Sequence, residues 1–144
     1  MDSLDRPAPA KADVSLRVPA DGAYVSVLRT MTAGLAARLD FTLDDLEDVR
    51  MAIGEAAGLV LEAADPGADL TTRFWLRPGV LTMTVSTAAR SAVAPEPDSF
   101  AWTVLTTLAQ DATARVTDGR FEITLMATSS IGRPEAAPGS RPLT

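Results

Sequence analysis

The period of the hydrophobic pattern changes along this chain in an order that few folds can accept. Val14, Leu16 and Val18 alternate with Ser15 and Arg17, the mark of a half-buried strand, and Pro19 ends it. Two helical stretches follow with no strand between them. Tyr24, Val27, Leu28, Met31 and Leu35 recur at helical spacing behind Asp21, a residue suited to an N-cap. Leu43, Leu46, Val49, Ile53, Ala57 and Val60 repeat that spacing behind Thr42. Asp45 stands three residues on, close to a capping box, and Asp65-Pro66-Gly67 stops the helix. Strand-like stretches then occupy 70–76 and 80–87, joined by Arg77-Pro78-Gly79. A loop of small residues over 88–97 leads to a third helix, expected from Asp98 or Ser99 to about Ala112, with Phe100, Val104, Leu105 and Leu108 facing inward. The last hairpin pairs 114–117 with 120–128 across Asp118-Gly119, a type I′ pair, since both central residues need positive φ.

The order β–α–α–β–β–α–β–β predicts an α+β two-layer sandwich, with helices on one face of a mixed, mostly antiparallel sheet. A doubly wound parallel fold needs strands and helices to alternate, and these do not. The 144 residues suffice for one domain, placed at 13–130. The ends, 1–12 and 131–144, carry prolines and small residues without periodicity and are expected to be disordered tails.

Composition removes whole classes of chemistry. Cysteine and histidine are both absent, so no disulfide, thiolate metal site, Ser–His–Asp triad, Cys–His pair or histidine-ligated zinc can form within the chain. The formal net charge is −6, Lys11 is the single lysine, and the arginines form no run. Phosphate contacts need clustered cations, so neither nucleic acid nor an anionic membrane is an expected partner. No apolar run approaches a membrane span and the N-terminus lacks the apolar centre of a signal peptide, which predicts a cytoplasmic protein.

The stretch PADGAYVSVLRTMTAGLAARLDFTLDDLEDVRMAIGEAAGLVLEAA, the two hairpins after it and the segment SFAWTVLTTLAQD together resemble one family, over about residues 14 to 128. It is the anti-sigma factor and serine-protein kinase family of the RsbW type from Gram-positive bacteria, within the histidine-kinase and Hsp90-like ATPase group. The third-helix segment is closest to actinobacterial members.

The resemblance implies three ATP-binding motifs, and this sequence departs from each. The family's Glu-x-x-x-Asn pattern places a catalytic glutamate at Glu55 and a magnesium-holding asparagine where Leu59 stands; leucine offers no oxygen to a hard cation. Glu55 is therefore the one catalytic candidate, with a solvated helix glutamate and a partner contact as its other readings. The family's Asp-x-Gly falls on Thr87 and Ala89, to within one residue, and a neutral hydroxyl is a weaker adenine acceptor than a carboxylate. The glycine-rich turn before the third helix falls on Ser99 and Ala101. The loop ahead of it holds no glycine, while Pro95 and Pro97 remove backbone donors. No cofactor is expected, and ATP with magnesium would bind only to a site less altered than these residues imply.

The partner-binding part of the resemblance is better kept. Arg29 matches an arginine that the family uses against sigma factors and anti-anti-sigma proteins, and Tyr24 and Val25 lie one turn earlier. A surface helix arginine is the alternative reading. Asp44, Asp45, Glu47 and Asp48 open the second helix, either to stabilise its N-terminus or to dock basic residues of a sigma factor. Trp75, between Phe74 and Leu76, is either core or part of a dimer interface along the sheet, and Trp102 carries the same ambiguity. The leading function is an anti-sigma factor that sequesters a stress- or sporulation-type sigma factor and is released by an anti-anti-sigma protein, with a homodimer implied by the family. The alternatives are an ATP-dependent serine kinase acting on an anti-anti-sigma protein, and a scaffold or sensor that holds another small ligand in the former nucleotide pocket.

Overall fold

A computed structural model describes residues 11–131. The outer parts of both expected tails, 1–10 and 132–144, lie outside the described residues. Strand β1, Val14–Pro19, leads through a 3-10 turn at Gly22–Tyr24 into helix α1, Val25–Ala37. Asp21 accepts from the N–H of Ala23 at 2.8 Å and so caps that turn. Helix α2 spans Leu43–Ala63, and its N-terminus is the expected capping box. Thr42 Oγ1 accepts from the N–H of Asp45 at 3.1 Å, and Asp45 Oδ2 accepts from the N–H of Thr42 at 3.0 Å. Strands β2, Asp69–Arg77, and β3, Val80–Ala88, form the first hairpin. Helix α3, Phe100–Leu108, precedes the second, β4, Asp111–Thr117, and β5, Arg120–Thr128. Asp118 and Gly119 both take positive φ, 52° and 77°, as the type I′ reading requires.

The five strands lie in the order β1-β2-β3-β5-β4, and every pairing is antiparallel. The α+β two-layer reading holds, with the sheet antiparallel throughout rather than mixed. One face of the sheet carries Leu70, Phe74, Leu81, Met83, Val85, Ile123 and Leu125, each fully buried, against Leu28 of α1, Ile53 and Val60 of α2 and Leu105 of α3. The register places Trp75 beside Thr82, which in turn faces Met126. Strand alternation therefore sets Trp75 on the face opposite Phe74, away from the helices, and not in the core.

Several inward assignments shift by part of a helical turn. In α1 the buried line is Leu28, Thr32 and Ala36; Met31 and Leu35 are half-buried beside it, while Tyr24 and Val27 are exposed. Thr32 is tolerated in the core because its hydroxyl donates to the carbonyl of Leu28 at 2.7 Å. Leu43 is 81% exposed, because the buried position at that end of α2 is taken by Phe41, held just ahead of the helix. Asp40, in the left-handed region at φ 63°, turns the chain so that the N–H of Phe41 reaches the carbonyl of Ala36. In α3 Trp102, Leu105 and Leu108 pack inward, the last two as expected, followed by the buried C-cap Ala109, and Phe100 is left 83% exposed. The helix also ends sooner than its pattern suggests: Gln110 donates to the carbonyl of Met126 at 2.8 Å, and from Asp111 the chain belongs to the sheet.

Candidate functional site

The six positions of the nucleotide motifs lie on three elements. Glu55 is exposed on α2, whereas Leu59, one turn on, is half-buried and packs against the core. Thr87, near the end of β3, is fully buried, and its hydroxyl donates to the carbonyl of Asp69 at 2.8 Å. Ala89 is also fully buried, with its N–H given to the carbonyl of Gly119 at 2.7 Å. Asp65 ties down the adjoining backbone, since its N–H donates to the carbonyl of Ala88, while its carboxylate accepts from the N–H of Arg90 and pairs with the Arg90 guanidinium at 3.4 Å. Ser99 caps α3, its Oγ accepting from the N–H of Trp102 at 3.2 Å. Ala101 is half-buried in the first turn of that helix.

These positions do not fit a magnesium nucleotide. Leu59 offers carbon where the resemblance implies an oxygen ligand, Thr87 is fully buried where it implies an adenine acceptor, and the Ala89 methyl is buried where it implies a glycine. Leu59 and Trp102 are half-buried against the hydrophobic core. Among the described residues no group of three or more carboxylate side chains is placed to hold a metal ion.

A different surface is open. A groove of about 620 Å³ runs between the start of α1 and the second half of α2, walled by Gly22, Ala23, Val25, Ser26, Arg29, Gly54, Gly58, Leu61 and Glu62. Arg29 is exposed and lies across Gly54: a Cβ built on Gly54 would stand 2.7 Å from Arg29 Nε and 2.8 Å from Nη2. The ion pairs among the described residues use Arg17, Arg50 and Arg90, and none uses Arg29. Tyr24 is 37% exposed, and Val25 next to it packs inward. Of the three residues singled out on the first helix, the groove wall includes Arg29 and Val25 but not Tyr24. It adds Gly54, Gly58 and Glu62, which sequence reasoning missed. Two glycines four residues apart inside a helix were the available clue, since each costs about 1 kcal/mol relative to alanine in a helix interior.

The acidic opening of α2 divides into two kinds of residue. Asp44, Glu47 and Asp48 are exposed, with Glu47 facing Arg50 at 3.9 Å. Asp45 is not free for a partner. Besides its capping role, its Oδ2 accepts from the N–H and the hydroxyl of Ser130, each at 2.9 Å, and so fastens the segment after β5 to the start of α2. Partial burial works to raise its pKa, but the hydrogen bonds from Ser130 and Thr42 outweigh it and hold the carboxyl below the ordinary value of 3.8. The group is more easily ionised in the folded state, so its contribution is fully present above that ordinary value and is lost as pH falls through the folded one. Asp45→Ala is expected to lower stability at neutral pH by about 1–2 kcal/mol, the scale of a lost helix cap. The difference from the unaltered protein should shrink as the pH is taken below the carboxylate range, read by denaturant titration at a series of pH values. An equal difference at every pH would show that the charge on Asp45 does not matter.

Comparison with known proteins finds similarity over part of the chain. No family model matches it. A serine-protein kinase RsbW from Halalkalibacterium halodurans is 38% identical over 64 residues, 44% of this chain and 40% of that protein. A serine-protein kinase RsbW from Bacillus thuringiensis is 37% identical over 51 residues, 35% of this chain and 32% of that one. The match therefore spans less than half the length of these relatives. Among solved structures, the RsbU and RsbW domains of a Mycobacterium tuberculosis protein superpose with a TM-score of 0.62 at 16% identity, over 80% of this chain and 32% of that one. The histidine kinase domain of an Erythrobacter litoralis blue-light activated histidine kinase gives 0.54 at 14% identity, over 85% of this chain and 66% of that one. The fold is that of the histidine-kinase-like ATPase domains, and part of the sequence is similar to the RsbW serine-protein kinases.

Proposed function

We propose that this RsbW-like chain is an anti-sigma protein that works by binding, not by phosphoryl transfer. It holds a stress- or sporulation-type sigma factor on the surface around Arg29 and yields it to an anti-anti-sigma protein. The observation that carries the reading is the contrast between the two surfaces. Thr87 and Ala89, where the resemblance would seat the adenine, are fully buried with their hydroxyl and N–H given to backbone carbonyls, while Arg29, which makes no ion pair among the described residues, stands in an open groove. Arginine on a concave surface is a common anchor of protein interfaces. A homodimer and a cytoplasmic site of action belong to the same proposal. No described helix is long and apolar enough to cross a membrane, which is compatible with it.

The printed names of its relatives favour a second reading, an ATP-dependent serine kinase that uses the exposed Glu55. Calorimetry with ATP and magnesium separates the two. The expected result is no binding tighter than about 0.1 mM, equivalent to about −5.5 kcal/mol; tighter binding would favour the kinase. Leu59→Asn alone is expected to leave that result unchanged, because one restored contact contributes only about 1–3 kcal/mol and the positions at Thr87, Ala89, Ser99 and Ala101 stay as they are. Measurable ATP affinity in that single variant would show that these positions still form a pocket. Sequestration itself is tested by mixing the protein with each candidate sigma factor of its host on a sizing column. A shared peak supports the proposal, and separate peaks for every candidate would end it.

A further inference from the structure

We propose that Gly54 is the positioning residue of the groove: its missing side chain lets the Arg29 guanidinium lie flat on α2, where it receives a carboxylate from a helical segment of the protein partner. The inference deepens the anti-sigma reading and rests on it for the identity of that partner.

A fixed arginine is a better carboxylate receptor than a free one, because its fork is already aligned and less rotamer freedom is lost on binding. Nothing in the way of an ion pair fixes Arg29 among the described residues. What places it is contact with the bare backbone of Gly54, since Nε, Nη2 and Cζ would all stand within 3.2 Å of a Cβ there. The far end of a flexible side chain can move aside, so a methyl at position 54 would leave the fold intact and evict the guanidinium. The other groove glycine on α2, Gly58, has nothing within 4 Å of its would-be Cβ, as has Gly34 on α1, so crowding by Arg29 is particular to Gly54.

The charges around the groove select the occupant. Glu62 lies on the same wall, eight residues along α2 from Gly54 and so about 12 Å away. A segment that sets an acid over Arg29 and a cation near Glu62 satisfies both ends of the groove. Glycine and alanine walls leave room for a helix backbone to come close. The rest of α2 presents Asp44, Glu47, Asp48 and Glu55, so a uniformly acidic segment would be repelled.

The test uses the full chain with two probes. The first is a sigma factor that co-elutes with it. The second is a helical peptide bearing one Glu and, two helical turns away on the same face, one Lys, alongside a version with Gln for Glu. Gly54→Ala is expected to weaken sigma-factor binding roughly tenfold or more, as Arg29→Ala does, while the melting temperature holds or rises because alanine is the better helix former. In an Arg29→Ala background the same change should cost nothing further, which a merely structural glycine would not show. Gly34→Ala, with equal gain in helix propensity, should bind normally. With the peptide, the Arg29 Nε–H resonance should shift for the Glu form, shift less for the Gln form, and stay still in Gly54→Ala. Full sigma-factor affinity in Gly54→Ala, or equal losses with and without Arg29, would overturn the inference while leaving the anti-sigma reading standing. If no sigma factor binds, the peptide decides it: a response specific to Glu and dependent on Gly54 upholds the groove chemistry, and no response, or the same response to both peptides, ends it.

Discussion

Phe74→Ala is expected to destabilise the protein by about 3–5 kcal/mol, the largest effect of any single change considered. Phe74 is fully buried on β2, between two other strands, with Val14 opposite on β1 and Met83 opposite on β3. Removing the ring opens a cavity where both layers meet, and the strands cannot collapse into it without breaking two ladders. For a domain of this size the melting midpoint should fall by roughly 10–20 °C. Phe74→Leu, which keeps most of the volume, should cost about 1.5 kcal/mol or less. Urea titration followed by circular dichroism reads both. An alanine variant losing less than about 1 kcal/mol would mean that this ring is not packed as described.

The second large effect falls on binding. Arg29→Ala is expected to reduce affinity for the partner by about 2 kcal/mol or more, some 30-fold, with the melting temperature within a few degrees of the unaltered protein. The two readouts separate because Arg29 is exposed and makes no ion pair among the described residues, so folding loses little. Unchanged affinity would move the contact surface away from α1. A collapse in melting temperature would make Arg29 a structural residue whose contact with Gly54 supports the helix pair.

The order of the elements, the capping box of α2 and the second hairpin turn were legible because each rests on local chemistry. Thr42 and Asp45 sit three apart, and Asp118-Gly119 names its turn by the backbone angles it permits. What failed was rotation. Apolar spacing in α3 places Leu105 and Leu108 inward but is satisfied nearly as well by Phe100 and Val104 as by Trp102 beside them, and only docking within the fold selects Trp102. Likewise Leu43 and Phe41 compete for one buried place, and the turn at Asp40 decides between them. At the site, the residue types at the motif positions were readable, but not that Thr87 and Ala89 would be fully buried. That Asp45 serves Ser130, 85 residues away in sequence, was not, because the pairing exists only once β5 has reached the start of α2. Gly54 was silent for a similar reason: a glycine reports its purpose only through the neighbour that lies on it.

The sheet order also bears on how the molecule assembles. The β2–β3 and β4–β5 ladders each close over a short turn, whereas β1 reaches β2 only after α1 and α2 have been laid down between Pro19 and Asp69. Bringing together the ends of so long a loop carries the larger entropic cost, so β1 is expected to dock last in folding and to leave first in partial opening. Its departure bares the edge of β2, from Asp69 to Phe74, to any strand of matching pattern. The best match to that edge is β1 of another copy, which makes exchange of this one strand between molecules the misassembly to which the fold is most exposed at high concentration.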